Sequence, residues 1–105
     1  MEQFVRANLL LDFYGQLLTE RQLNACRLYY EENFSLGEIA LELGISRQAV
    51  HDSIRRATSG LEGYEQKLGL VGRFSEQQQE LRRLKELLQQ GKTAEVLPLL
   101  ERLIL

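Results

Sequence analysis

The sequence predicts an all-α protein, a helical bundle built around a helix-turn-helix, with a long fourth helix and a C-terminal helical extension. Three observations predict it. Leucine is abundant and β-branched residues are few, which favours helix over strand. Apolar residues recur at spacings of three and four along most of the chain. Helix-start signatures, a Ser or Thr followed three residues later by Gln or Glu, stand at Thr19, Ser35 and Ser75. With 105 residues, 44% of them hydrophobic, one proline and no low-complexity tract, the chain can bury a core.

The first helix is predicted from about Gln3 to Leu18, on the stripe Phe4, Ala7, Leu11, Tyr14 and Leu18. Leu10 and Leu17 widen that stripe, with Phe13 at its edge. So wide an apolar face implies central burial or a helix shared with a second subunit. Thr19 and Gln22 form a capping box, and a second helix follows to about Glu32, carrying Leu23, Cys26 and Tyr30 on one side. Asn33-Phe34 breaks the pattern. Ser35 and Glu38 then open a short third helix, Leu36 to Leu43, with a one-faced stripe of Leu36, Ile39, Ala40 and Leu43.

Gly44 stands where a left-handed cap is needed, and Ser46 caps the fourth helix. That helix carries Val50, Ile54, Ala57, Leu61, Tyr64 and Leu68 along one seam and is expected to stop at Gly69, with Leu70 folding back as the apolar residue of the cap. Ala49, Ser53 and Gly60 line up beside the seam, which suggests close packing of another helix there. Ser75, with Gln78, should cap a fifth helix carrying Leu81, Leu84 and Leu88, with Leu87 alongside, that Gly91 stops. Pro98 lies too deep for a helix capped by Thr93, so the last helix is expected to start anew near Pro98 or to be kinked. The apolar tail LPLLERLIL should pack on its own domain or on a partner subunit. The chain accordingly divides into a helix-turn-helix domain, residues 1–73, and a C-terminal helical extension, residues 74–105.

A single cysteine, Cys26, cannot form an internal disulfide and reads as a small buried hydrophobe in a reducing compartment. The stretch MEQFVRANLL lacks the basic-then-apolar order of a signal peptide, and no apolar run reaches the length of a membrane span, so a cytoplasmic location is expected. There is no Cys/His cluster and no glycine-rich phosphate loop; neither catalysis nor a cofactor is expected. The net charge is −2, unevenly spread: residues 1–45 carry −4, residues 46–75 carry +2, and residues 76–105 balance. A polyanion would meet the protein in the middle segment.

Residues 35–56, SLGEIALELGISRQAVHDSIRR, hold the requirements of a helix-turn-helix together. Ala40 is small at the helix crossing, Gly44 makes the turn, and Ile39, Leu43, Ile45 and Val50 fill the wedge. Ser46 leaves backbone N–H groups near where a phosphate would sit. The segment LLTERQLNACRLYYEENFSLGEIALELGISRQAVHDSIRRA resembles the −35-reading helix-turn-helix domain of bacterial sigma factors. The chain is more closely similar to the YlxM proteins of Gram-positive bacteria, through LDFYGQLLT, the Tyr-Tyr pair, FSLGEIA, SRQAV and LEGYEQKLGL. The resemblance implies a sigma-like fold without enzymatic activity. Through the family's gene context it also implies a regulatory role in the signal recognition particle pathway, with the particle's RNA and its GTPase as partners. One departure stands out. The apolar contact usual in sigma factors three residues after the Val50 position is Ser53 here, and Ile54 takes that role, so sigma base contacts do not carry over.

With Val50 as the inward centre, the candidate nucleic-acid-binding residues are Arg47, Gln48, His51, Asp52, Arg55 and Arg56. Gln48 suits adenine, Arg55 guanine and Asp52 cytosine, while Arg47 and Arg56 suit phosphates. The competing reading makes this a solvated face in which Arg55 and Arg56 pair with Asp52 at spacings of three and four. Three functions stay open: a regulator binding DNA or the targeting particle's RNA, a sequence-specific transcription regulator, or a protein-binding scaffold. The surplus apolar surface of the first helix, the long seam and the tail favour a homodimer.

Overall fold

The computed structural model describes residues 3–104, which form six α-helices and two short 3₁₀ turns, with no strand among the described residues. Helix α1 (Gln3–Tyr14) ends earlier than the periodicity suggested, and a 3₁₀ turn, Gly15–Leu17, takes the chain to Leu18. Gly15, the first residue of that turn, stands where the chain passes close to the next helix: a Cβ there would lie 3.2 Å from Leu23 Cδ1. Leu17, expected in the stripe, is exposed, as are Phe4 and Phe13; Ala7, Leu10, Leu11 and Tyr14 are the buried members.

Helix α2 (Glu20–Tyr30) starts with the predicted capping box: Thr19 Oγ1 accepts from the Gln22 backbone, and the Gln22 side chain accepts from Thr19 N–H. It ends at Glu31, and Asn33 adopts a left-handed conformation (φ 58°) that releases the chain. Helix α3 (Leu36–Leu43) has the same cap through Ser35 and Glu38. Gly44 closes it at φ 67°, a conformation that costs any other residue about 1–2 kcal/mol. Helix α4 (Arg47–Leu68) starts at Ser46, whose Oγ accepts from Ala49 N–H, and ends at Gly69 in the left-handed region.

Residues 1–69 form one compact unit. Helix α4 packs against α1, α2 and α3, and its seam of Val50, Ile54, Ala57 and Leu61 meets Tyr14, Cys26 and Ile39 in a buried core. Leu68, expected on the seam, is 49% exposed, so the buried run ends at Leu61, about two turns before the helix does. Two polar contacts tie α1 to the far half of α4. Arg6 donates two hydrogen bonds to the Glu62 carboxylate (2.8 and 2.6 Å), and Tyr14 OH donates to Glu65 Oε1 (2.6 Å). Aromatic rings also meet in the unit: Phe4 is edge-on to Tyr30 and tilted to Tyr29, and Tyr14 is tilted against Tyr64. The strip of Ala49, Ser53 and Gly60 is covered unevenly: Ala49 and Ser53 are partly buried and line a groove with Thr19, Arg21 and Gln22 at the start of α2, while nothing lies within 4 Å of where a Gly60 side chain would begin.

Residues 70–105 form the second compact unit. Helix α5 (Leu70–Gln89) starts directly after Gly69, with Leu70 as its first residue; Ser75 and Gln78 fall inside it. Its buried leucines are Leu84 and Leu87, while Leu81 and Leu88 are exposed, a different selection from the predicted Leu81, Leu84 and Leu88. Gly91 (φ 75°) turns the chain, with Lys92 N–H donating back to Leu87 O. A 3₁₀ turn, Thr93–Glu95, leads into α6 (Val96–Leu103). Pro98 is the third residue of α6, within the first turn, where its missing N–H costs no helical bond; the helix starts two residues before it. Val96 joins Leu84 and Leu87 in a small core, with Leu99 and Leu103 packed against it, so part of the apolar tail covers α5.

Candidate nucleic-acid interface

The first three turns of α4 carry the face in question. Its inner side is fixed by Ile39 and Val50, both fully buried, which wedge α3 against α4; Ile54 and Ala57 continue the contact. Ile54 is thus inward where sigma factors use the preceding position, and Ser53 is only partly buried. With the inner side fixed, Arg47, Gln48, His51, Arg55 and Arg56 all stand exposed, and Asp52 is half-buried. All six candidate residues lie on one helix and within three turns, as the spacing implied.

The pairing among them differs from the expected one. Asp52 Oδ1 accepts from Gln48 Nε2 (3.2 Å) and lies 3.7 Å from His51 Nδ1. Neither Arg55 nor Arg56 makes an ion pair with Asp52 or any other carboxylate among the described residues. Helical side chains lean toward the N-terminus, so the short Asp52 side chain reaches Gln48 a turn earlier and leaves both guanidinium groups unmatched. Gln48, in turn, would have to give up this bond to read a base edge.

Shallow grooves flank the face. One, of about 400 Å³, lies between the start of α2 and α4 and is lined by Thr19, Arg21, Gln22, Ala49, Asp52, Ser53 and Arg56. On the other side, Leu36 of α3 meets Arg47, Gln48 and His51, and a neighbouring depression holds Tyr29, Tyr30, His51 and Arg55. The first groove adds a residue that sequence reasoning missed. Arg21 sits in the first turn of α2 and lines this groove together with Arg56 of α4. Counted along the chain, Arg21 belongs to the acidic N-terminal stretch; the capping box at Thr19, which starts α2 beside the helix-turn-helix, was the signal that could have placed it. Four arginines, Arg21, Arg47, Arg55 and Arg56, therefore bracket one carboxylate. Lys67, another basic residue of the segment, does not join them: it is in the last turn of α4, and Arg73 belongs to α5 in the second unit. The acids at the far half of α4 are occupied elsewhere, Glu62 by Arg6 and Glu65 by Tyr14.

The remaining reactive groups are structural. Cys26 is fully buried, and burial pushes its thiol up to about 11. The hydroxyl of Tyr30 is raised by burial as well. No helix among the described residues is long and apolar enough to cross a membrane.

Residues 1–98 match the family described as "Putative helix-turn-helix protein, YlxM / p13 like", UPF0122. Among similar proteins, a UPF0122 protein of Halalkalibacterium halodurans is 46% identical over 104 residues, 98% of this chain and 95% of its own length. The UPF0122 protein YlxM of Bacillus subtilis is 47% identical over 95 residues, 90% of this chain and 86% of its own. A UPF0122 protein of Desulforamulus reducens is 54% identical over 81 residues, 77% of this chain and 69% of its own.

Proposed function

We propose, from the premise that the chain belongs to the YlxM/p13-like helix-turn-helix family, that it is a non-enzymatic regulatory protein binding nucleic acid through the outward face of α4. One observation carries the reading: Arg47, Arg55 and Arg56 stand exposed, with no carboxylate paired to them among the described residues, on a helix whose opposite side is the core. A solvated face that had only to stay soluble would gain by matching them with acids. The groove with Arg21 extends the same surface toward α2, where Arg21 and Arg56 are both available to a backbone phosphate. The ligand is a DNA duplex or, following the gene context of the family it resembles, the signal recognition particle RNA. In the latter case the particle's GTPase is a further partner, and the protein acts in protein targeting.

Fluorescence anisotropy with random duplex DNA, random RNA and the targeting-particle RNA tests this. Binding should be weak and salt-sensitive. If all four arginines meet phosphates of B-DNA, the log–log salt slope is about −3.6, and Arg55→Ala or Arg56→Ala each lowers its size by about 0.9. A transcription regulator would instead prefer one DNA sequence over random DNA by a factor of at least about 1,000. No binding to any of the three at low salt would refute the reading. If the arginine variants leave a protein partner's binding unchanged in that case, the motif serves as a scaffold.

A further inference from the structure

The α5–α6 hairpin carries two apolar stripes, and its own core uses one. The helices are antiparallel: Glu80 lies 3.9 Å from Arg102 at the open end, while Leu84 and Leu87 pack with Val96 toward the turn at Gly91. The inner stripe is Leu84 and Leu87 on α5 with Val96, Leu99 and Leu103 on α6. The outer stripe is Leu81 and Leu88 on α5, 50% and 55% exposed, and Leu97, Leu100 and Ile104 at the end of the chain, 61%, 38% and 70% exposed. With about 100° of rotation per residue, Leu81 and Leu88 lie roughly 80° clockwise from the inner direction of α5, seen from its start. Leu97 and Ile104 lie roughly 100° clockwise from the inner direction of α6, seen from its own start. Because the helices are antiparallel, the same rotation on each brings both outer stripes to one side of the hairpin. They make a single apolar face.

We infer that this face is a homodimer surface, packing against the same face of a second copy so that two hairpins form a four-helix arrangement. Two observations favour a second copy as the occupant. The hairpin unit spans only residues 70–105, and of its four buried residues Leu84, Leu87 and Val96 form its core cluster, with Val71 outside that cluster. Units below about 40 residues rarely hold together without a metal, disulfides or association, and this chain has one cysteine, buried elsewhere. The charges bordering the face are also self-complementary. On α5 the border is basic, Lys85 and Arg82; on α6 it is acidic, Glu101; none of the three forms an ion pair among the described residues. Glu101 is level with residue 81 of α5, by the offset that aligns Glu80 with Arg102. A two-fold axis running along the helices lays each α5 over the α6 of the second copy, setting Arg82 and Lys85 beside Glu101 of the second copy twice over. A net charge of +1 on residues 70–105 opposes this only weakly.

Sedimentation velocity on the full chain decides it. The protein should be a dimer at micromolar concentration. Leu88→Glu combined with Leu97→Glu should give a monomer with unchanged helical circular dichroism, since both side chains lie outside the chain's own core. Lys85→Glu should raise the dimer dissociation constant about fivefold, two bordering pairs being lost, and adding Glu101→Lys should restore it. This swap stays informative even if the leucine pair misfolds. A strict monomer at tens of micromolar would overturn the inference. So would a dimer that neither the leucine pair nor the charge reversal weakens.

Discussion

Two carboxylates on one helix, Asp52 and Glu62, have opposite fates, and the difference is local. Asp52 is held by a neutral amide and leaves the arginines beside it unmatched. Glu62 receives two hydrogen bonds from Arg6, which hold its carboxyl below the ordinary value of 4.5 and raise the Arg6 guanidinium. A carboxyl whose pKa falls on folding contributes stability above its unfolded pKa and loses it as pH falls through the folded value. The pair therefore supports the α1–α4 contact at neutral pH and fades once pH drops below 4.5. Both side chains are well exposed, 40% and 45%, so water screens much of the attraction. Glu62→Gln should lower stability at pH 7 by about 0.5 kcal/mol, and the two chains should converge as pH falls below the carboxylate range. Urea midpoints against pH would measure this; a gap that widened in acid would contradict the assignment. The charge pairings themselves were only half legible in the sequence. Spacing placed Asp52 near Arg55 and Arg56, but it does not say which neighbour a short side chain reaches, and no spacing links Arg6 to Glu62, 56 positions away.

At the scale of elements, what the sequence revealed depended on whether the deciding chemistry was local. The bounds of α3 and the start of α4 follow from Ser35, Glu38, Gly44 and Ser46, each acting within four residues. The start of α5 does not. Ser75 and Gln78 can cap a helix, yet the same side chains are tolerated inside one, and Gly69 had already ended α4 and let α5 begin at Leu70. In α5, four leucines within eight residues satisfy more than one helical face, and the small core with Val96 selects Leu84 and Leu87. The strip of Ala49, Ser53 and Gly60 signalled close packing by composition, but open space surrounds the Gly60 position. Glycine inside a helix costs about 1 kcal/mol relative to alanine, and here no tight contact offsets it. Gly60→Ala should raise stability by about that amount, a rise of roughly 4–8 °C in the melting midpoint for a unit of this size. Thermal melts read it directly. A lower midpoint would mean that the strip is covered after all.

The whole molecule is two units with unequal buried cores, and the consequence for their stability is testable in one experiment. Residues 1–69 bury large side chains from four helices, among them Tyr14, Ile39, Val50 and Leu61. Full burial of such a residue is worth about 1.5–3 kcal/mol. The hairpin of residues 70–105 has three members in its buried cluster and an uncovered second stripe. The sequence marked the tail as needing cover but could not say how much of it α5 already supplies, because that depends on a helix pairing and not on pattern. Regions with few buried apolar contacts open at free energies well below the global one, so α5 and α6 amides should exchange with solvent at least about tenfold faster than those of Val50, Ile54 and Leu61 in α4. Anything that binds only the folded hairpin suppresses this opening by mass action. If the cover is a second copy, protection of the α5–α6 amides should therefore climb with protein concentration while the α4 amides hold constant. Hydrogen exchange read by mass spectrometry at submicromolar and at tens of micromolar protein gives both comparisons. Protection that rose equally in both units would mean that they open together, and protection indifferent to concentration would remove the second copy as the cover.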